Sequence, residues 1–173
     1  MKVLGYLVFS ALLSMSAISA NAKDQNFDKG YQAEIWEDYK TALSFYHISA
    51  DDGNADAMKN IGRFYYSGFG VSKDYVQAMR WMRLAAEHEN ADAQWWIGYM
   101  YEFADIFPGI TDDNARDYVR AYMWYNIAAA NGDREKASEW RDGLTKVLSK
   151  NDIARAQEMS TECMSSGYKN CGD

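Results

Sequence analysis

A nine-residue segment occurs twice in the chain, as NADAMKNIG at 54–62 and as NADAQWWIG at 90–98, with six identical positions. A second segment follows each copy and begins DYVQAMRW at 74–81 and DYVRAYMW at 117–124. Self-similarity at a period of roughly 20–50 residues is typical of arrays in which each unit stacks on the next. The repeat therefore restricts the chain to a stacked architecture.

An earlier copy of the second segment, DYKTALSF, begins at Asp38, so three copies stand 36 and 43 residues apart. The initial Asp of each copy can accept hydrogen bonds from free backbone amides at a helix N-terminus. Apolar or small residues follow at helical spacing and share one face. Each copy therefore predicts a helix of about four turns. Gly53 and Gly132 are expected to end two of these helices, and Asn90 is expected to end the middle one.

The NADA segments begin the other helix of each pair, since Ala57, Ile61 and Tyr65 share one side at about 100° per residue. Gly62 lies on that side too, and Gly98 is its counterpart in the next copy. A glycine inside a helix costs about 1 kcal/mol relative to alanine. Its presence at the same place twice indicates that the backbone approaches the paired helix closely.

Three motifs connect these repeats to a known family: A-x-x-x-I-G-x-x-Y, S-G-F-G-V-S-K-D and A-x-x-W-x-x-x-A-A. Together they resemble the Sel1-like repeat, a relative of the tetratricopeptide repeat. In the first full copy the resemblance is carried by Ala57, Ile61, Gly62, Tyr65, Gly68, Gly70, Val71, Asp74, Ala78, Trp81, Ala85 and Ala86. The next copy keeps Ala93, Ile97, Gly98, Tyr101, Asp117, Ala121, Trp124, Ala128 and Ala129. Its connecting loop departs from the family because it lacks the paired glycines.

The resemblance implies an all-α fold, a right-handed α/α superhelical solenoid of about four antiparallel helix pairs. Within a domain at 23–173, the repeats are predicted at about 27–53, 54–89 and 90–132, with a C-terminal helix pair at 133–173. The single proline, Pro108, and the lack of alternating strand patterns agree with an all-helical chain.

Residues 1–22 have the pattern of a secretory signal peptide, with Lys2, a mostly apolar run at 4–18 and the cleavage site Ala20-Asn21-Ala22. An uncleaved membrane anchor is the alternative, although the run is shorter than the ~20 residues that a span needs. We expect cleavage after Ala22 and a periplasmic or secreted protein. No other segment is apolar enough to cross a bilayer, so no membrane span is expected after cleavage.

Cys163 and Cys171 are the only cysteines, and export to an oxidising compartment permits a bridge between them. In one unbroken helix their Cα atoms would be about 12 Å apart, beyond the ~7 Å that a disulfide allows. The helix must therefore stop between them, and Gly167 is the natural stop. We predict a disulfide that holds the C-terminal tail; two free thiols are the alternative.

Several function classes are disfavoured. The formal net charge is -7 and no basic run occurs, which argues against nucleic acid and anionic membranes as partners. His47 and His88 stand at no zinc-ligand spacing and are predicted to be solvated. The acidic segment 111–117 is predicted to be a solvated loop, with hard-cation binding as the alternative. The sequence thus predicts no catalytic residue, no cofactor, no metal ligand and no enzymatic activity.

The first helix of each pair is expected to line the extended face that solenoids offer to partners. Away from the packed side, the 36-residue offset aligns two sets of three side chains, and the long loop at 103–117 adds two aromatic residues. The predicted protein-binding residues are Lys59, Arg63, Tyr66, Trp95, Tyr99, Glu102, Phe103 and Phe107. Alternatively, Trp95 and Trp96 both pack against neighbouring repeats.

The resemblance therefore suggests an exported bacterial scaffold or adaptor that binds a protein or peptide partner. One alternative is a cell-wall-related hydrolase or a β-lactamase-like binding protein, since some relatives have been linked to such binding, although no serine–lysine motif occurs here. Another alternative is a structural spacer in a larger envelope assembly. A buried, strongly perturbed carboxylate in a cleft would favour the enzyme.

Overall fold

The computed structural model describes residues 25–110, 116–132, 134–169 and 171. Every regular element within them is helical, which confirms the predicted all-α fold. The α-helices are α1 (25–35), α2 (Tyr39–Asp51), α3 (Ala55–Ser67), α4 (Tyr75–Glu87), α5 (Ala91–Glu102), α6 (Tyr118–Asn131), α7 (Arg134–Leu144) and α8 (Lys150–Ser165). A short 3-10 turn spans Ala104–Ile106. The predicted signal peptide at 1–22 and most of the acidic segment, 111–115, lie outside the described residues.

Aspartate side chains begin the second helix of each of the first three pairs. Asp38, Asp74 and Asp117 each accept a hydrogen bond from the backbone N–H three residues on, at 3.2, 2.9 and 2.8 Å. Each bond satisfies an amide that has no partner within the helix. The predicted caps of α2, α4 and α6 are thereby confirmed.

Asparagine side chains begin the first helices in the same way. Asn54 and Asn90 accept from backbone amides of α3 and α5, at 3.1 and 2.9 Å. The expectation that Asn90 ends α4 was therefore wrong, because its side chain caps the next helix. The left-handed residue after α4 is Glu89, with φ 59°.

The two helices of a pair meet at a glycine of the first helix. A Cβ built on Gly98 would lie 2.7 Å from the ring of Tyr125, and one on Gly62 would lie 3.0 Å from Met82. Interiors are packed too closely to admit an extra methyl group at such distances. The close approach predicted at Gly62 and Gly98 is thereby confirmed.

The same contact occurs in the first pair, where the sequence had not indicated it. A Cβ on Gly30 of α1 would lie 2.8 Å from the ring of Tyr46 in α2. Gly30, Gly62 and Gly98 therefore occupy equivalent positions in three successive first helices. We call this alignment the glycine register.

A continuous core runs through the stacked helices, with α6 packed against α5, α7 and α8. Trp124, Tyr125 and Ile127 of α6 are fully buried. The hydroxyl of Ser160 in α8 lies 3.2 Å from the carbonyl oxygen of Met123 and joins the last helix to α6. Within the described residues, no helix is long and apolar enough to cross a membrane.

The predicted disulfide between Cys163 and Cys171 is confirmed, with the two Cα atoms 4.6 Å apart and both side chains buried. The chain turns after α8 at Gly167, which has φ +65°. The Tyr168 amide then donates to the Cys163 carbonyl at 2.9 Å. The side-chain amide of Asn131 donates to the Tyr168 hydroxyl at 2.7 Å, so the tail is fixed to the end of α6.

We expect Gly98→Ala to lower the free energy of unfolding by about 1–3 kcal/mol, because the new methyl group meets the Tyr125 ring. The matched control is Gly143→Ala in α7, where no atom of the described residues lies within 4 Å of the added Cβ. There the higher helix propensity of alanine should stabilise the fold by about 0.5–1 kcal/mol. Urea unfolding followed by circular dichroism measures both changes. Effects of the same sign and size would contradict the close-contact argument.

Candidate protein-binding surface

The glycine register aligns side chains on the first helices. The residues one position after the glycine are Tyr31, Arg63 and Tyr99, and those five positions after it are Ile35, Ser67 and Phe103. Equivalent residues of stacked repeats lie on the same side of the array. The register therefore places predicted binding residues of α3 and α5 on one surface and extends that surface to α1.

Aromatic rings connect α3, α5 and α7 along this side. The ring centroid of Trp96 lies 5.0 Å from that of Tyr66, and the centroid of Tyr99 lies 5.7 Å from that of Trp140. Tyr99 also contacts Phe103 at 4.9 Å. All five side chains are half-buried, so each keeps part of its surface accessible to a partner. We call these five residues the aromatic surface: Tyr66, Trp96, Tyr99, Phe103 and Trp140.

The loop after α5 closes over one end of the aromatic surface. Phe107 is buried at 3 % exposure and contacts the rings of Tyr66 and Tyr75 at 5.5 and 5.0 Å. Its neighbour Ile106 is 56 % exposed. Phe107 was predicted to bind a partner, but its side chain is buried and packs the loop against Tyr66.

Trp95 and Trp96 are adjacent in the sequence, but their side chains lie in different environments. Trp95 is only 6 % exposed and contacts the rings of Tyr99 and Trp140, both at 5.4 Å. The structure therefore places Trp95 in the packing between repeats, which was the second interpretation of this residue. Trp96 remains half-buried against Tyr66.

Lys59 and Arg63 hold neighbouring repeats together. The Lys59 ammonium lies 3.2 Å from the carboxylates of Asp56 in its own helix and Asp92 in α5. The Arg63 guanidinium pairs with Glu34 of α1. Both predicted binding residues are thus engaged in ion pairs that cross from one repeat to the next, while part of each side chain remains exposed.

Two of the helix pairs contain a Glu–Tyr hydrogen bond next to the glycine contact. The Tyr125 hydroxyl donates to Glu102 at 2.8 Å, and the equivalent Tyr46 donates to Glu34 at 2.7 Å. Burial is the largest cause and the neighbouring glutamate the second, and together they raise the pKa of each tyrosine well above its ordinary value. Each hydroxyl therefore stays protonated and acts as a structural donor.

The middle pair has different residues at both positions. Met82 stands in place of the tyrosine, and Tyr66 stands in place of the glutamate. The Tyr66 ring joins the aromatic surface instead, and burial together with the neighbouring Tyr99 hydroxyl raises the pKa of Tyr66 to about 12.

The carboxylate of Glu102 bears on the enzyme hypothesis. Burial raises its pKa above the ordinary value, although the Tyr125 hydrogen bond and the Arg116 charge act in the opposite direction. Asp105 in the adjoining loop has a lowered pKa because Arg116 pairs with it at 2.8 and 2.9 Å. Glu102 therefore serves as the acceptor for a buried hydroxyl, and the burial that accompanies this role is what raises its pKa.

The two histidines occupy different environments. His47 was predicted to be solvated, but it is half-buried and packs edge-on against Trp81 at 5.1 Å, and burial lowers its pKa. His88 is exposed at the end of α4. In the described part of the chain, no group of three or more His, Cys, Asp or Glu residues could hold a metal ion.

Sequence reasoning missed an apolar extension of the surface on α1. Tyr31, Ile35 and Trp36 are 51 %, 54 % and 80 % exposed. The signal that could have found them is Gly30, because aligning it with Gly62 places Tyr31 at the position of Arg63. The segment between this glycine and Asp38 is shorter than its counterparts, which hid the alignment.

The stacked helix pairs, with their repeated caps and glycine contacts, define an α/α solenoid. The Sel1 repeat family model matches residues 28–54, 55–90 and 91–133, which is more than half of the chain. The chain therefore belongs to the Sel1 repeat family. Sel1 repeats generally mediate protein interactions, and the fold is typically a non-enzymatic scaffold.

The solved structures that are similar to the chain include the following two. One is c5321, a protective antigen present in uropathogenic Escherichia coli strains that displays an SLR fold. It is 26% identical with a TM-score of 0.73, and the match covers 84% of this chain but only 31% of c5321. The other, a Sel1 repeat protein from Oxalobacter formigenes, is 25% identical with a TM-score of 0.59, over 77% of this chain and 98% of that protein. No curated protein matches the sequence.

We expect Tyr125→Phe to cost about 1–2 kcal/mol of unfolding free energy at pH 7, because the ionised Glu102 loses its donor. Loss of that donor raises the pKa of Glu102 in the folded variant further. The stability cost is therefore complete above the pKa of Glu102 in the variant, and it shrinks as pH falls and the carboxyl is protonated. Urea unfolding at pH 7 and pH 4 measures the difference. Glu102→Gln is the control, and in its background Tyr125→Phe should show no such dependence on pH. A cost that is the same at both pH values would contradict the charge-assisted bond.

Proposed function

We propose that the protein is an exported scaffold or adaptor that binds a protein or peptide along the side defined by the glycine register. The observation that carries this proposal is the aromatic surface, whose five rings touch one another across three helices while each stays partly exposed. Tyrosine and tryptophan are the usual anchors of protein interfaces, because they combine a large apolar area with a polar tip.

The exposed apolar residues of α1 support the same proposal. Tyr31 and Ile35 follow the glycine register, and Trp36 stands next to them at 80 % exposure. Large apolar side chains that cluster on a surface are typical of interaction sites. A partner that runs across the first helices would contact these residues at one end and the aromatic surface at the other.

The ion pairs between repeats favour binding without large rearrangement. Arg63 connects α3 to α1, and Lys59 connects α3 to α5. Each pair is partly exposed and contributes modestly to stability. Their effect on function is to keep neighbouring first helices in register, and a surface that is already ordered loses less conformational entropy when a partner binds.

Export to the periplasm or the cell exterior is part of the proposal. The support is the signal-peptide pattern at 1–22 together with the buried Cys163–Cys171 disulfide, since disulfides persist mainly in oxidising compartments.

Photocrosslinking in the native cell tests the binding side. We expect benzoylphenylalanine at Tyr31 or Ile35 to form a covalent adduct with a specific partner. The matched controls are Ile48 and Leu84, which are 47 % and 42 % exposed but lie on second helices. These controls should give no adduct. Adducts confined to the second helices would place the partner on the opposite side, and adducts at none of the four positions would favour the structural spacer.

The mass of the protein purified from its native envelope tests export. We expect the chain to begin at Lys23 and to be lighter than the reduced chain by the two hydrogens that the disulfide removes. Alkylation without reductant should leave both cysteines unmodified. A chain that keeps residues 1–22, or one with two alkylatable thiols, would contradict the proposed compartment.

A further inference from the structure

A buried tryptophan beside the aromatic surface lacks a hydrogen-bond partner. Trp95 is 6 % exposed, and within the described residues its indole Nε1 has no acceptor. The rings of Trp96, Tyr99 and Trp140 lie around it, with centroids 5.4 Å away. Buried polar groups are nearly always hydrogen-bonded, because an unsatisfied donor loses the interaction it had with water. Within the described residues, the Trp95 indole N–H is one of two such unsatisfied donors, the other being that of Trp124 in α6.

Lys136 covers one face of this indole. Its Nζ lies 3.5 Å from the centroid of the Trp95 ring, although the lysine side chain itself is exposed. The contact is a cation–π interaction, which is weak at an exposed site. Lys136 forms no ion pair within the described residues, even though Glu135 and Glu139 are exposed on the same helix.

The other described cation of α7 is held in place. Arg141 pairs with Asp142 at 2.8 Å and lies 3.3 Å from the side-chain oxygen of Asn126. Lys136 also stands in the first turn of α7, where the helix dipole disfavours a positive charge and favours a negative one. The start of α7 thus offers a displaceable ammonium to an incoming anion.

We propose that Lys136 and Trp95 recognise a partner segment in which an acidic side chain adjoins an apolar one. The partner's carboxylate pairs with the Lys136 ammonium and draws it off the indole. The adjoining apolar side chain then takes the place of the ammonium against Trp95, beside Tyr99 and Trp140. This inference rests on the proposed function and names the chemistry of the partner that the surface selects.

The exchange is favourable because it replaces a weak contact with a stronger one. A charge-assisted bond between ammonium and carboxylate is roughly twice as strong as a neutral hydrogen bond. It strengthens further when the apposed surfaces exclude water. Glu135 and Glu139 do not achieve this exchange by themselves, since a solvated pair on one helix contributes little.

Peptide selection on the purified full chain tests the proposal. A random displayed library is selected on the wild-type protein, and enriched peptides are resynthesised with and without their acidic residue replaced by its amide. We expect the enriched sequences to place Asp or Glu next to an aromatic or aliphatic residue. Lys136→Met keeps an apolar stem over Trp95 but removes the charge, and should weaken binding by roughly tenfold or more. The amide peptide should lose as much on the wild type and nothing further on the variant.

Lys29→Met is the matched control. Lys29 is also an exposed lysine over an aromatic ring, 5.6 Å from the centroid of Phe45, but it lies on α1 away from Trp95. Its replacement should leave the affinity for the selected peptides unchanged. An equal loss in the Lys29 variant would show a general charge effect and overturn the proposal.

The indole resonance of Trp95 supplies a direct readout. We expect its Nε1–H signal, assigned with Trp95→Phe, to shift when an acidic peptide binds and to stay in place with the amide peptide. Peptides that contact the aromatic surface without a preference for Asp or Glu, and bind the Lys136 variant equally, would overturn this inference alone. A library that yields no peptide shifting the resonances of the aromatic surface would count against the proposed function as well.

Discussion

The contact between a helix glycine and a large side chain of the second helix determines how each of the first three pairs is assembled. Because Gly98 has no side chain, the Tyr125 ring lies where a Cβ would otherwise stand, and the same holds for Gly30 and Tyr46. This approach sets the rotation of one helix against the other. It also brings the tyrosine hydroxyl to a glutamate one turn further along the first helix.

The exception in the middle pair connects this packing to the surface. With Met82 opposite Gly62, no hydroxyl requires a glutamate, and Tyr66 occupies that position. Its ring meets Trp96 and Phe107, so a change in one internal contact adds an aromatic group to the exposed side. The glycine register therefore determines how the two helices of a pair are assembled, and the proposed binding residues are aligned along it.

Hydrogen bonds and the disulfide hold the C-terminal end of the array. Asn131 donates from its side-chain amide to Gln94 and to Tyr168, at 3.0 and 2.7 Å. Since Tyr168 lies within the loop closed by the Cys163–Cys171 bridge, the bridge stabilises the geometry of a contact that reaches back to α5. The bridge and these hydrogen bonds therefore connect the residues after α8 to both α6 and α5.

The sequence by itself determined what depends on local periodicity: the helix pairs, their Asp caps, the glycine contacts of α3 and α5, and the disulfide. It did not separate Trp95 from Trp96, because the buried side and the partly exposed side of α5 differ by about one residue of helix rotation. Tertiary structure decided that Trp95 is buried, and that Lys136 lies on its ring. These outcomes depend on the distance between α5 and α7, which no period in the sequence encodes because the last helices depart from the repeat.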